Sequence, residues 1–114
     1  MSNKTDKTGH HEAIVLSRDG TGPICVRGAM TFSSAAAGIQ AFKPYCTAGT
    51  DRVLQMDLSQ IARMDSAGLA LLLQWKRMAH SAGRTIRFNG LPQQARNLAT
   101  VFAIGSLIGT ENAN

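Results

Sequence analysis

The sequence predicts a small α/β domain in which helices cover a sheet, with the element order β-β-α-β-α-β-α. Three observations predict this class. A turn signal at residues 19–22 (Asp-Gly-Thr-Gly) separates two short apolar runs, and residues 53–58 are nearly continuous in apolar character, as in a central strand. The pair Asp65-Ser66 then precedes a long stretch of helical periodicity. Alternating strands and helices require at least one right-handed crossover.

The first two strands are predicted at residues 13–17 and 23–27, joined as a hairpin. A helix over residues 31–42 follows, with Thr31 as its N-cap and Pro44 as its stop. Its expected buried positions are Phe32, Ala35, Ala36, Ile39 and Phe42. Gly38 lies inside this helix, which predicts either a weak helix or close packing.

The central strand at residues 53–58 is followed by a predicted connector at residues 59–64. The next helix runs from Asp65 to about Ala82, and Gly83 closes it. Its predicted core stripe is Leu71, Leu72, Trp75, Met78, Ala79 and Ala82.

A second face of this helix lies beside the core stripe and carries Ser66, Leu69, Ala70, Leu73 and Arg77. An apolar patch with a polar rim is typical of a partner surface. A neighbouring helix or loop could equally cover it, and the residues alone favour neither interpretation.

The last strand is predicted at residues 85–88, and Pro92 suits the first turn of a final helix. The buried stripe of that helix is Ala95, Leu98, Ala99 and Phe102. Gly105 ends the pattern, and residues 107–108 could add a short strand. We expect the domain to span residues 13–108, with a flexible tail at 1–12 and a loose tail at 109–114.

The composition excludes several classes of protein. Apolar residues make up 44% of the 114 residues, which argues against disorder across the whole chain. The net charge of +5 is scattered and aromatic residues make up only 5%, so a nucleic-acid groove is not expected. Cys25 and Cys46 are predicted to be reduced thiols. No signal peptide or membrane span is visible, which predicts a cytoplasmic protein that meets the inner membrane only through a partner.

No catalytic pattern is present, so we expect no enzymatic activity and no cofactor. The nucleotide, metalloprotease and serine-hydrolase motifs are missing, and no histidine is placed by sequence to activate Ser66. His10 and His11 lack a third ligand, so no metal site is expected. Asp57 could form a carboxylate pair with Asp65, but backbone hydrogen bonding is the favoured role for Asp57.

Ser66 has two interpretations. It could be a helix cap alone. Alternatively, its hydroxyl is exposed at a helix N-terminus, where a phosphate would meet backbone N–H groups and the positive end of the helix dipole. Asp65 would repel that added charge and Arg63 would offset it. In an interface, the charge would then change binding rather than folding.

Residues 53–68, VLQMDLSQIARMDSAG, followed by LALLL, resemble the STAS domain family of anti-sigma factor antagonists and sulfate transporters. In that family a strand ending in D-x-S leads to a D-[ST]-x-G turn that begins a helix. Residues 26–30 resemble the family's strand-to-helix junction, and the likeness continues downstream from Gly83 to Phe102. It implies a small mixed sheet with helices packed on it, and it implies that Ser66 is the regulatory or phosphorylated position.

Within the family, DSAGLALLL and LPQQARNLATVF look most like the STAS subunit of Mla-type phospholipid transporters, although those subunits usually carry Thr and then Gly-Gly in the turn. This likeness implies an accessory subunit bound to the ATPase subunit of an ABC transporter. The alternative function is that of an anti-sigma factor antagonist, which binds a serine kinase through Ser66. A third and weaker hypothesis is that the basic surface binds anionic lipid directly. The expected partner-binding residues are Arg63, Met64, Asp65, Ser66, Ala67, Gly68, Leu69, Leu73 and Arg77.

Overall fold

The computed structural model describes residues 13–101, which form four strands and three helices. The strands are β1 (Ile14–Arg18), β2 (Ile24–Met30), β3 (Val53–Met64) and β4 (Thr85–Asn89). The helices are α1 (Ala35–Thr47), α2 (Ser66–Ser81) and α3 (Gln93–Val101). The order β-β-α-β-α-β-α confirms the predicted fold class.

The strands form one mixed sheet in the order β1-β2-β3-β4. β1 and β2 pair as the predicted antiparallel hairpin, whereas β3 runs parallel to both β2 and β4. Each parallel connection passes through a helix, α1 between β2 and β3 and α2 between β3 and β4. Because β2 and β3 are parallel, their carboxyl ends lie side by side, with Met30 opposite Met64.

The described helices pack on one face of the sheet, and the core lies between the two layers. Trp75 of α2 is fully buried; its ring centroid lies 5.4 Å from that of Phe42 in α1, and its Nε1 donates to the carbonyl oxygen of Gly38 at 3.1 Å. A Cβ at Gly38 would lie 2.6 Å from Cδ2 of Leu71. Gly38 therefore permits close packing of α1 on α2.

The connector predicted at residues 59–64 is wrong, because β3 continues to Met64. The pairing between β2 and β3 shifts register at two points along β2. In this half of β3 the buried residues are Leu58, Ile61 and Met64, which are three residues apart instead of two. That spacing conceals the strand from a search for alternating apolar residues.

The predicted start of α1 is also wrong. Ser34, not Thr31, is the N-cap residue, and residues 31–34 form a turn before the helix. Phe32, expected in the buried stripe, is 85% exposed, and Ala36 is exposed as well. Phe32 fits the helical spacing of the apolar residues, but it lies before the helix begins. That spacing therefore does not predict its burial.

Pro44 lies inside α1 instead of ending it, and the helix continues to Thr47. Arg84, which is only 8% exposed, donates from Nη1 to the carbonyl oxygen of Tyr45 at 3.0 Å and from Nη2 to that of Gly49. Carbonyl groups at a helix end need partners from outside the helix. Here Arg84, which is distant in sequence, donates these hydrogen bonds. A prediction made from Pro44 and its neighbours alone does not take Arg84 into account.

α2 begins after Asp65 and ends before Ala82, close to its predicted bounds. Of the predicted core stripe, four members are buried, one is half-buried and one is exposed: Leu71, Leu72, Trp75 and Ala79, then Met78, then Ala82. Leu69 is 1% exposed, so of the two interpretations left open for the second face, coverage within the domain holds at this residue. α2 contacts both α1 and α3, which makes its buried arc wider than one stripe.

α3 begins at Gln93, directly after Pro92. Two members of its predicted buried stripe, Ala95 and Ala99, are fully buried in the core. Several expectations lie outside the described residues. They are the tails at 1–12 and 109–114, the His10-His11 pair, Phe102, Gly105 and the short strand at 107–108.

Candidate functional site

The carboxyl ends of β2 and β3 are joined by the side chain of Asp65. One oxygen, Oδ1, accepts from the backbone N–H groups of Ala67 at 2.9 Å and Gly68 at 3.1 Å, which makes Asp65 the N-cap of α2. The other oxygen, Oδ2, accepts from the backbone N–H of Phe32 at 3.1 Å. The backbone N–H of Asp65 also donates to the carbonyl oxygen of Met30 at 3.2 Å. One carboxylate thus fixes a helix start and the loop beside it.

Gly68 lets α2 begin directly against the end of β2. A Cβ at this position would lie 2.2 Å from the carbonyl oxygen of Met30 and 2.6 Å from Cγ of Met64. The backbone oxygen cannot move aside without disturbing the strand. The glycine that closes the D-S-x-G sequence is therefore required by the close approach of helix and strand, and it is not required by a left-handed conformation.

Residues 31–34, which we call the Phe32 turn, are held from inside by Ser34. This side chain is 1% exposed; its Oγ donates to the carbonyl oxygen of Ala29 at 2.7 Å and accepts from the backbone N–H of Thr31 at 2.9 Å. The backbone N–H of Ser34 donates to the carbonyl oxygen of Thr31 at 3.0 Å. With the bond from Phe32 to Asp65, the turn is anchored at both strands, while the Phe32 side chain stays in solvent.

Ser66 is the first residue of α2 and its side chain is exposed. It is not the cap of the helix, because Asp65 performs that role. A phosphate on Ser66 would find the N–H groups of Ala67 and Gly68 already bound by Asp65. A phosphate here would stand beside a carboxylate at an occupied helix start.

The remaining predicted partner-binding residues divide by exposure. Arg63 and Arg77 are exposed, and Ala67 and Leu73 are half-buried. Met64 and Gly68 are buried, as is Leu69. The buried residues of this set can position the backbone of the predicted partner surface. Their side chains are not accessible to a partner protein.

Asp57 lies in β3, where its Oδ1 accepts from the backbone N–H of Ser59 at 2.9 Å. This hydrogen bond, with a second from the Ser59 side chain, lowers the pKa of Asp57 against a smaller opposing effect of burial. The backbone role predicted for Asp57 is therefore present. In the described residues, no three His, Cys, Asp or Glu side chains are grouped to hold a metal.

The site has the strand-turn-helix arrangement that the sequence indicated. It combines the carboxyl ends of β2 and β3 with a capping aspartate, an exposed serine and a close-packed glycine. A family model described as "Mlab, STAS domain" matches residues 15–109. The chain belongs to the MlaB-type STAS domain family. Its D-S-x-G sequence, Asp65 to Gly68, is the turn between β3 and α2 of this STAS domain.

Solved structures share the fold of this STAS domain at low sequence identity. The anti-sigma factor antagonist SpoIIAA in its unphosphorylated form matches with a TM-score of 0.56 and 17% identity, over 82% of this chain and 83% of that one. The murine anion transporter Slc26a9 in its inward-facing state matches with a TM-score of 0.62 and 16% identity, over 83% of this chain but only 16% of the transporter. No curated protein sequence matches the chain significantly.

None of the helices in residues 13–101 is long and apolar enough to cross a membrane. Sequence reasoning found the Asp65 turn but missed Phe32 and Ser34. The residue pattern offered Ser34 as a helix start as good as Thr31, but it did not show that the Ser34 side chain turns inward to bind Ala29 and Thr31 instead of capping the helix. Nothing in the sequence alone marked Phe32 as exposed.

Proposed function

We propose that this STAS domain is a non-catalytic accessory subunit that binds the ATPase subunit of an Mla-type phospholipid ABC transporter in the cytoplasm. The family model supports the subfamily, and the exposed Ser66 beside the Asp65 carboxylate is the observation that carries the site. Membrane association then comes through the transporter. No cofactor is needed for this role.

The proposed interface is the Ser66 surface, which we define by its exposed or half-buried members. They are Phe32, Arg63, Ser66, Ala67, Ala70 and Arg77. Ser66, Ala70 and Arg77 follow one line along α2 at helical spacing, and Phe32 is joined to its start through Asp65. Leu73 lies half-buried beside this line and forms its inner margin.

The test is co-purification of the chain with the ATPase subunit of the Mla-type transporter from the same genome. We expect a stable complex with the wild type and with Ser66→Ala, and loss of the complex with Ser66→Glu. The charge must be desolvated when the partner docks, and Asp65 already binds two N–H groups of the helix start, those of Ala67 and Gly68. A wild-type chain that does not bind the ATPase contradicts the proposal, as does a Ser66→Glu variant that binds equally well.

A second candidate function is an anti-sigma factor antagonist regulated by phosphorylation of Ser66. The exposed hydroxyl of Ser66 and the fold shared with SpoIIAA favour it. Incubation with a candidate anti-sigma serine kinase from the same genome, followed by mass spectrometry, distinguishes the two. Phosphate on Ser66 of the wild type, with none on Ser66→Ala, supports the antagonist role. Sedimentation with anionic liposomes tests the weaker lipid-binding alternative.

A further inference from the structure

We propose that Phe32 is the apolar anchor of the interface and that it enters an apolar pocket bordered by carboxylates on a folded partner protein. The inference rests on the proposed function for the location of the interface, and it adds the anchoring residue and the chemistry of the partner. Neither follows from the D-S-x-G sequence, since Phe32 lies in a different loop, more than thirty residues earlier in the chain.

The exposure of Phe32 is exceptional in this domain. Among the described large apolar side chains, only Phe32, Val53 and Val15 are exposed, at 85%, 44% and 48%. Val53 and Val15 are β-branched residues within strands, where partial exposure is ordinary. Phe32 instead lies at the tip of a turn. An aromatic ring in that position has large apolar area to bury on association.

The backbone beneath Phe32 is already fixed. Its own N–H donates to Oδ2 of Asp65, and the inward-pointing Ser34 holds the turn from the other side. Because the backbone of the turn is already ordered, binding through Phe32 costs conformational entropy mainly in its side chain, which raises affinity for a given contact area. Rigid aromatic anchors that fill a pocket are the residues that dominate the energetics of protein interfaces.

The charge of the Ser66 surface indicates the charge of the partner. The carboxylate next to Phe32, that of Asp65, is committed to backbone N–H groups of the turn and of α2. Arg63 and Arg77 are exposed on the Ser66 surface. Carboxylates around the partner's pocket complement this charge and speed association at low ionic strength.

The neighbouring residues are small enough for a pocket wall to approach. Ala67 and Ala70 lie on α2 behind Ser66 and carry only methyl groups. A partner that accepts Phe32 therefore also covers Ser66. This placement explains why a charge at Ser66 would oppose docking: it would be enclosed next to the rim carboxylates of the partner.

The first experiment measures the Kd of the ATPase subunit for the wild type, Phe32→Ala and a matched control, Val15→Ala. We expect Phe32→Ala to raise the Kd about thirty-fold, as for an interface hot spot, and Val15→Ala to leave it unchanged. Arg63→Gln should raise the Kd less and reduce its dependence on salt, whereas Arg87→Gln, at an exposed position of β4, should do neither. If the ATPase binds and Phe32→Ala binds as tightly as the wild type, the anchor is refuted while the proposed function stands.

A second experiment covers the case in which the ATPase does not bind. A photo-crosslinking amino acid is placed at position 32, or at position 15 as the control, and crosslinked in the native cells; the attached peptides are then identified by mass spectrometry. A crosslink from position 32 to an acidic-rimmed apolar pocket of another protein supports the anchor and refutes the ATPase as partner. A crosslink to a basic or flat surface, or no crosslink beyond that of position 15, overturns the inference.

Discussion

Asp65 makes the contact on which the geometry of the candidate site depends, so its removal is the most informative perturbation. Asp65→Ala removes both oxygens that serve three backbone N–H groups, two in α2 and one at Phe32. The helix then loses its side-chain cap, and the Phe32 turn loses its tie to β3. Ser66→Ala is the matched control, because Ser66 is the neighbouring residue and its exposed side chain takes no part in capping.

The magnitude follows from these contacts. Loss of an N-cap side chain costs about 1 kcal/mol of unfolding free energy, and loss of the bond to Phe32 costs about 1 kcal/mol more. We expect Asp65→Ala to destabilise the domain by about 2 kcal/mol, which lowers the Tm by about 10 °C for a domain of this size. Asp65→Asn should cost about 1 kcal/mol, because one oxygen remains for the helix while the amide NH₂ faces the Phe32 N–H.

The assay is urea unfolding followed by tryptophan fluorescence. Trp75 is the single tryptophan of the chain and is fully buried in the core, so it reports global unfolding. The expected order of stability is wild type and Ser66→Ala, then Asp65→Asn, then Asp65→Ala. An Asp65→Ala variant within about 0.5 kcal/mol of the wild type would refute this reasoning, since such a change is typical of an uninvolved surface residue.

Three further perturbations test the packing around the site. Gly68→Ala should prevent stable folding, because its Cβ would strike the carbonyl oxygen of Met30; a soluble variant with wild-type Tm would contradict this. Arg84→Met should cost about 2–3 kcal/mol in urea unfolding, because it leaves the carbonyl groups of Tyr45 and Gly49 without this donor. Burial raises the pKa of the Cys46 thiol despite the opposing charge of Arg84, so iodoacetamide at about pH 8 should alkylate the half-buried Cys25 well before Cys46. Because the folded state retains the Cys46 proton longer, stability should fall as pH rises past about 8.5, and a Cys46→Ala variant should lack that loss.

The sequence predicted the elements that depend on local chemistry. The hairpin followed from turn residues, and α2 followed from a capping aspartate, a regular apolar stripe and a closing glycine. The Asp65 turn was found for the same reason, since its capping interaction lies within four consecutive residues. Signals of this kind need no knowledge of the tertiary structure.

The errors occurred where a distant residue decided the outcome. The second half of β3 was missed because register shifts against β2 replaced alternation with a spacing of three. α1 extends past Pro44, and Arg84, which lies just before β4, donates to the carbonyl oxygens of Tyr45 in its last turn and of Gly49 beyond it. The burial of Leu69 was left open, because the sequence does not show that α2 contacts two other helices. None of these partners is adjacent in sequence, so local periodicity could not reveal them.

Asp65 and Ser66 are adjacent, yet the structure assigns them separable physical roles. Asp65 is committed to backbone N–H groups, so changing it alters the free energy of unfolding. Ser66 is exposed and outside that capping network, so a charge added there stays hydrated in the free domain and costs little. When a partner covers the surface, the same charge must lose its water beside Asp65, which already binds the N–H groups of Ala67 and Gly68. Stability should therefore respond to Asp65 and affinity to Ser66, and Ser66→Glu should change the Kd without moving the urea midpoint.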